Sequence, residues 1–160
     1  MSRAFVKDET VAEAVETVLP ERQISPHPNL VTASGLKALE QALQSAREAL
    51  ATANKLQDAL ERKRLSANPL RDIRYYSERL STAQLVTPVP SPKTVGFGNT
   101  VALEYDDGRK VSYRIVGEDE ADPGKGLISF VSPVARNLMG KTVGEDIRMG
   151  EREIAILQIS

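Results

Sequence analysis

Two clusters of acids and one histidine in this 160-residue chain have side chains of the kind that do chemistry. The densest cluster is YRIVGEDEADPGKG, residues 113–126, where Glu118, Asp119, Glu120 and Asp122 fall within five positions. Converging carboxylates can hold a hard divalent cation, and a carboxyl with a raised pKa can act as general acid or base. The second is QDALERKRL, in which Asp58 and Glu61 stand three apart, on neighbouring positions of one helix face. His27 lies between Pro26 and Pro28, with no sequence neighbour to orient its ring. It reads as a solvated imidazole in an irregular segment.

The dense cluster reads best as a polar loop. Its acids follow a strand pattern, and Asp122-Pro123-Gly124 turns the chain back towards LISFV. Carboxylates on such a turn point in several directions, no calcium-loop spacing surrounds them, and no apolar pocket is evident to raise a pKa. Asp58 and Glu61 also have a plain structural reading, as the two ends of a capping box or as ordinary surface acids.

The elements that must position these residues change character along the chain. Residues 1–31 contain one short amphipathic stretch, ETVAEAVETVL, followed by Pro20, Pro26 and Pro28. They read as an extended arm, partly disordered when alone. In residues 32–87, Leu36, Leu39, Leu43, Ala46, Leu50, Ala53 and Leu60 keep a 3–4 spacing, with only Gln57 breaking the seam, and Ile73, Tyr76, Leu80 and Ala83 repeat it. That is the seam of an antiparallel coiled-coil hairpin, capped at its start by Thr32 or Ser34. Two positions for its turn follow from the pattern. A level hairpin turns near 57–61 with Asp58 as cap and a kink at Pro69; the other turns at SANP with Asn68 as cap and Pro69 at the first helical position. The level form buries more of the stripe and is preferred.

Residues 88–98 read as a linker, within the Pro- and Gly-containing run VTPVPSPKTVGFG at 86–98. In 99–160 the apolar period drops to two. Val101, Leu103 and Tyr105 answer Val111, Tyr113 and Ile115 across Asp106-Asp107-Gly108, a hairpin signal. LISFV, IRM and EIAILQI supply further strands, and Ser132, Pro133 and Gly140 bracket a short helix. The fold class is α+β: a helical hairpin, then a mostly antiparallel sheet with one short helix over a face.

Composition narrows function. The chain has no cysteine, which excludes disulfides and thiolate metal sites. Its start has no long apolar run, so neither a signal peptide nor a membrane span is expected, and the cytoplasm is the expected location. Net charge is −2, +3 and −2 over residues 1–31, 32–87 and 88–160. No region is basic enough for phosphate-driven binding, so independent sequence-specific DNA binding is not expected. A hairpin closed on itself implies a monomer.

YRIVG, the DEAD after it, the G-x-I-S strand, S-P-x-A-R and G-K-x-V-G resemble, in order, the C-terminal domain of the Gre family of bacterial transcript-cleavage factors. The resemblance covers about residues 31–157; the arm lies outside it. It implies an FKBP-like sheet domain that docks at the rim of the secondary channel of RNA polymerase, with the hairpin reaching down towards the active centre. Tip carboxylates in this family help hold a magnesium of the polymerase, which itself cleaves backtracked RNA. No cofactor or enzymatic activity of its own is therefore expected. The resemblance places Asp58 and Glu61 at the tip, and Ser132, Pro133 and Arg136 at the polymerase contact.

The tip departs from the family pattern. Asp58 and Glu61 keep the spacing, but Arg62, Lys63 and Arg64 follow at once and the family's Asn and Tyr neighbours are missing. Each arm is shorter by roughly ten residues, about 15 Å at helical rise. A second reading within the class is therefore a relative of the Rnk regulators, with a shorter hairpin and no cleavage acids. From a different class, an FKBP-like fold suggests a prolyl isomerase, for which the sheet domain offers only Phe97, Tyr105, Tyr113 and Phe130 as pocket aromatics.

Overall fold

The structure is a computed structural model that describes residues 19–160. The short helix expected within residues 9–19 falls outside them, Leu19 apart. Two compact units are present: residues 19–24 with Glu40–Ser81, and Ser25–Leu39 with Thr82–Ser160.

The helical hairpin is built from Ala33–Asn54 (α1) and Ala59–Thr82 (α2). Ala, Leu, Glu and Arg are frequent across the two, all good helix formers. At about 1.5 Å per residue they are ~33 and ~36 Å long. Leu39, Leu43, Ala46 and Ala53 are buried, as the seam requires. The turn occupies residues 55–58, so the level hairpin is the one formed. Lys55 and Leu56 close α1 with tight bonds to the carbonyls of Thr52 and Ala53. Pro69 lies inside α2, where it removes the bond to the carbonyl of Leu65.

Two details of the seam differ from expectation. Leu60, counted as a seam residue, is 60% exposed: α1 has ended at Asn54 and nothing faces it. The capping box is only half formed. Asp58 Oδ1 accepts from the Glu61 N–H at 2.9 Å, but the Glu61 carboxylate turns to Arg64, at 2.7 Å.

In the other unit, Leu30–Val31 (β1) and Gln84–Leu85 (β2) form a two-residue parallel ladder. It zips the strand entering α1 to the strand leaving α2, and Asn29 Nδ2 adds a bond to Thr82 Oγ1 at 3.1 Å. The arm was expected to be extended and partly disordered up to residue 31. Its last part is extended, as β1, and built in: Asn29 and Val31 are buried.

A five-stranded sheet follows: Thr100–Tyr105 (β3), Lys110–Val116 (β4), Leu127–Ser129 (β5), Asp146–Met149 (β6) and Arg152–Ile159 (β7), in the order β5-β4-β3-β7-β6. β4 and β5 run parallel and the other neighbours antiparallel. The short helix Pro133–Leu138 (α3) presses Ala135 and Leu138 into a core with Val101, Leu103, Ile115 and Ile156. The register between β3 and β7 shifts at Ala102/Leu103, leaving Leu157 without a partner. That bulge changes the alternation, so Ile156 and Ile159, three apart, are both buried while Leu157 is 40% exposed.

The linker reading fails at its C-terminal end. Val95 and Phe97 belong to the core, Val95 N–H donates to the Lys141 carbonyl at 2.8 Å, and Gly98 N–H donates to the Ile115 carbonyl at 2.7 Å. A Pro- and Gly-rich composition marks an irregular backbone, but the apolar Val95 and Phe97 still bury where a core is within reach.

Candidate functional site

At the hairpin tip, Asp58 is the N-cap of α2. Its side chain holds the Glu61 N–H and its carbonyl accepts from Arg62 N–H at 2.9 Å. Arg62 Nη1 reaches back to the Leu56 carbonyl at 2.8 Å and ties the turn. Glu61 pairs with Arg64, and its hydrogen bond and charge raise the Arg64 pKa. Lys55, Arg62, Lys63 and Arg64 set four positive charges against these two acids, a net +2 over residues 55–64.

A divalent cation needs converging oxygens and low local positive charge. Here one carboxylate caps a helix, the other faces a guanidinium, and the surrounding charge is positive. The residues do not fit a shared magnesium. Among the described residues, no group of three or more His, Cys, Asp or Glu is arranged to hold a metal ion.

The acidic cluster departs from a solvated loop most clearly at Glu120. Glu120 Oε2 accepts from Thr32 Oγ1 and Glu120 Oε1 from Ser34 Oγ, both at 2.6 Å. Thr32 Oγ1 in turn accepts the Gly35 N–H at 3.0 Å, so Thr32 is the cap of α1 and Glu120 holds the cap in place. Charge-assisted bonds of this length are strong ones. Two glycines make room for the contact. A Cβ at Gly35 would lie 2.6 Å from Glu120 Oε2, and one at Gly117 would collide with the Leu30 carbonyl. Asp122 stays with its own turn, 3.7 Å from Lys125 Nζ, and exchanges backbone bonds with Leu127. His27 is exposed, with its N–H on Ser25 Oγ.

Ser132 caps α3, its Oγ accepting the Ala135 N–H at 3.3 Å, with Pro133 at the first helical position. Pro133 and Arg136 are exposed on this helix, and Met139 and Val143, later in the chain, are exposed too. The next turn is fixed by Glu145, whose Oε2 accepts from both the N–H and the hydroxyl of Thr142. Those bonds, with Lys141 nearby, hold the Glu145 carboxyl below its usual range. The structure thus puts Ser132, Pro133 and Arg136 on the same short helix, and Asp58 and Glu61 together at the tip.

The aromatics that an isomerase pocket would need are otherwise engaged. Phe97 and Phe130 pack edge to face with centroids 5.7 Å apart, and Tyr105 lies under Arg109. Sequence reading missed the part played by Glu120. Thr32 and Ser34 were visible as caps and Glu120 as an acid, but 88 residues separate it from Thr32 and no local pattern links them.

A helical hairpin and a small mixed sheet with one capped helix make up the described fold. Residues 90–160 match the family described as "Transcription elongation factor, GreA/GreB, C-term". The chain is 37% identical over 136 residues to the transcription elongation factor GreB of Pasteurella multocida, covering 76% of this chain and 86% of that one. Against the transcription elongation factor GreA of Alkalilimnicola ehrlichii it is 46% identical over 88 residues, 51% of this chain and 56% of that one. Among solved structures, GreA factor homolog 1 of Thermus thermophilus aligns over 82% of this chain and 97% of its own, at 26% identity and a TM-score of 0.40. The chain belongs to the GreA/GreB family of transcription elongation factors.

Proposed function

We propose that this elongation regulator binds RNA polymerase at the secondary channel and inserts its hairpin without stimulating RNA cleavage. The observation that carries this reading is the tip: Asp58 caps α2 and Glu61 pairs with Arg64, within a net +2 segment. A cation entering there meets like charge, and drawing Asp58 to it would uncap α2. Ser132, Pro133 and Arg136 form the docking face, where a rigidly capped helix start presents one exposed guanidinium. The protein acts as a cytoplasmic monomer, with polymerase as its partner and no cofactor of its own.

The test is a transcript-cleavage assay on backtracked elongation complexes, paired with a polymerase-binding measurement. Wild type is expected to bind and leave cleavage at the polymerase's intrinsic rate, with Asp58→Ala/Glu61→Ala indistinguishable from it. Arg136→Glu is expected to weaken binding. Stimulated cleavage that vanishes in the double variant would overturn the non-cleaving reading, and absence of binding would overturn the polymerase reading altogether.

A further inference from the structure

One end of the five-stranded sheet, where the β3–β4 and β6–β7 turns lie, gathers two arginines on one tyrosine. The guanidinium carbon of Arg109 stands 4.4 Å from the Tyr105 ring centroid, and that of Arg152 stands 5.9 Å from it. Both arginines are exposed. Among the described residues neither has an ion pair, whereas Arg22, Arg64, Arg71 and Arg74 each hold a carboxylate. The ring attracts each cation, but two like charges beside one ring also repel each other. An anion placed between them relieves that repulsion and can take charge-assisted hydrogen bonds from both.

The backbone holds both arginines ready. Arg109 N–H donates to Asp107 Oδ1 and its carbonyl accepts from Tyr105 N–H, each at 2.9 Å. Arg152 opens β7 opposite Met149 of β6. Tyr105 and Met149 are partly buried against the core, which gives the cations an apolar border. Burial raises the Tyr113 pKa and a bond to Tyr105 adds to this, while the charge of Arg109 opposes both. That charge therefore reaches a second phenol, on β4. Neighbouring acids limit what can bind. Asp106 and Glu153 line a hollow beside Tyr105 with Glu104 and Asp146, and Asp107 and Glu151 are exposed in the two turns. A polyanion such as nucleic acid would meet these carboxylates, whereas a lone carboxylate on an apolar segment can reach the arginines alone.

We infer that this end of the sheet is a contact for an acidic protein segment, with Arg109 and Arg152 clasping one carboxylate over Tyr105. On the polymerase reading of function, on which this step rests, the segment belongs to polymerase and the patch is a contact additional to Arg136.

The ¹⁵N-labelled full chain can be titrated with a short end-blocked peptide of glutamate and leucine. The Nε–Hε signals of Arg109 and Arg152 are expected to shift, with the amides of residues 105–109 and 149–152. Arg109→Gln/Arg152→Gln is expected to abolish the amide shifts while the other sheet amides stay in place. Arginine signals that never move would overturn the patch. Equal shifts with a peptide of glutamine and leucine would overturn the carboxylate. A single-stranded oligonucleotide that bound as tightly as the peptide would overturn the choice of a protein segment. For polymerase, the double Gln variant is expected to bind roughly tenfold more weakly than wild type at low salt, the difference shrinking as salt rises. Binding equal to wild type would exclude polymerase as the partner of this patch. If wild type itself failed to bind, the polymerase reading would fall, and the peptide titration would still decide the patch.

Discussion

The two helix starts of the hairpin are capped by different means. At the tip, Asp58 caps α2 with a carboxylate three residues from the N–H it holds. At the root, Thr32 caps α1 with a hydroxyl, and Glu120, 88 residues later, grips both Thr32 and Ser34. The local cap engages one acid in an exposed turn. The remote one engages a member of an acidic cluster in a part-buried contact. Proximity in sequence therefore says little about which carboxylates are available for chemistry. The tip acids, which the family resemblance marks as functional, stabilise α2, and the loop acid that looked idle stabilises α1.

The comparison breaks most visibly at Glu120. Glu120→Ala removes the acceptor for two hydroxyls, one of them on the buried Thr32, and is expected to cost about 1–3 kcal/mol in chemical denaturation. Amide exchange should quicken across residues 30–36 and 117–122 together. Glu120→Gln, which keeps one good acceptor, should recover part of the loss. If exchange quickened only at 117–122, Glu120 would be a loop residue and not the support of the α1 cap.

A smaller effect is expected at the tip. Asp58→Ala should cost about 1 kcal/mol, the usual value of an N-cap. Faster exchange should stay within the first turn of α2, with the signals of residues 30–36 unmoved. A loss exceeding that of Glu120→Ala would reverse the ranking of the two caps.

The smallest expected effect is a pH response at Glu145. Its folded pKa is depressed by the bonds from Thr142, so its stabilising contribution is fully present above the ordinary glutamate pKa, about 4.3. The contribution is lost as pH falls through the lower, folded value. The Thr142 amide resonance should shift upfield in that acid window and stay constant above it. A midpoint at or above the ordinary glutamate value would show that the turn bond is not formed in solution.

Much of this architecture was legible in the residues. The 3–4 stripe through Leu39, Leu43 and Ala46 is a local repeat, and burying it along its length placed the turn before Pro69. Asp58 and Ser132 were readable as caps, because a cap and its N–H lie within one turn of chain. The alternation around Asp106-Asp107-Gly108 fixed the β3–β4 hairpin for the same reason, and Asp107 Oδ1 indeed holds the turn through Arg109 N–H at 2.9 Å.

Sequence by itself thus determined the helices, their caps, the hairpins and the family, all written in spacings of a few residues. Tertiary structure alone decided the rest. It made β5 a parallel neighbour of β4, put a bulge at Leu157, drew Val95 and Phe97 out of a linker into the core, and set Glu120 on Thr32. Each of these depends on which surfaces meet after collapse, where burial and hydrogen-bond satisfaction are settled between residues far apart in the chain.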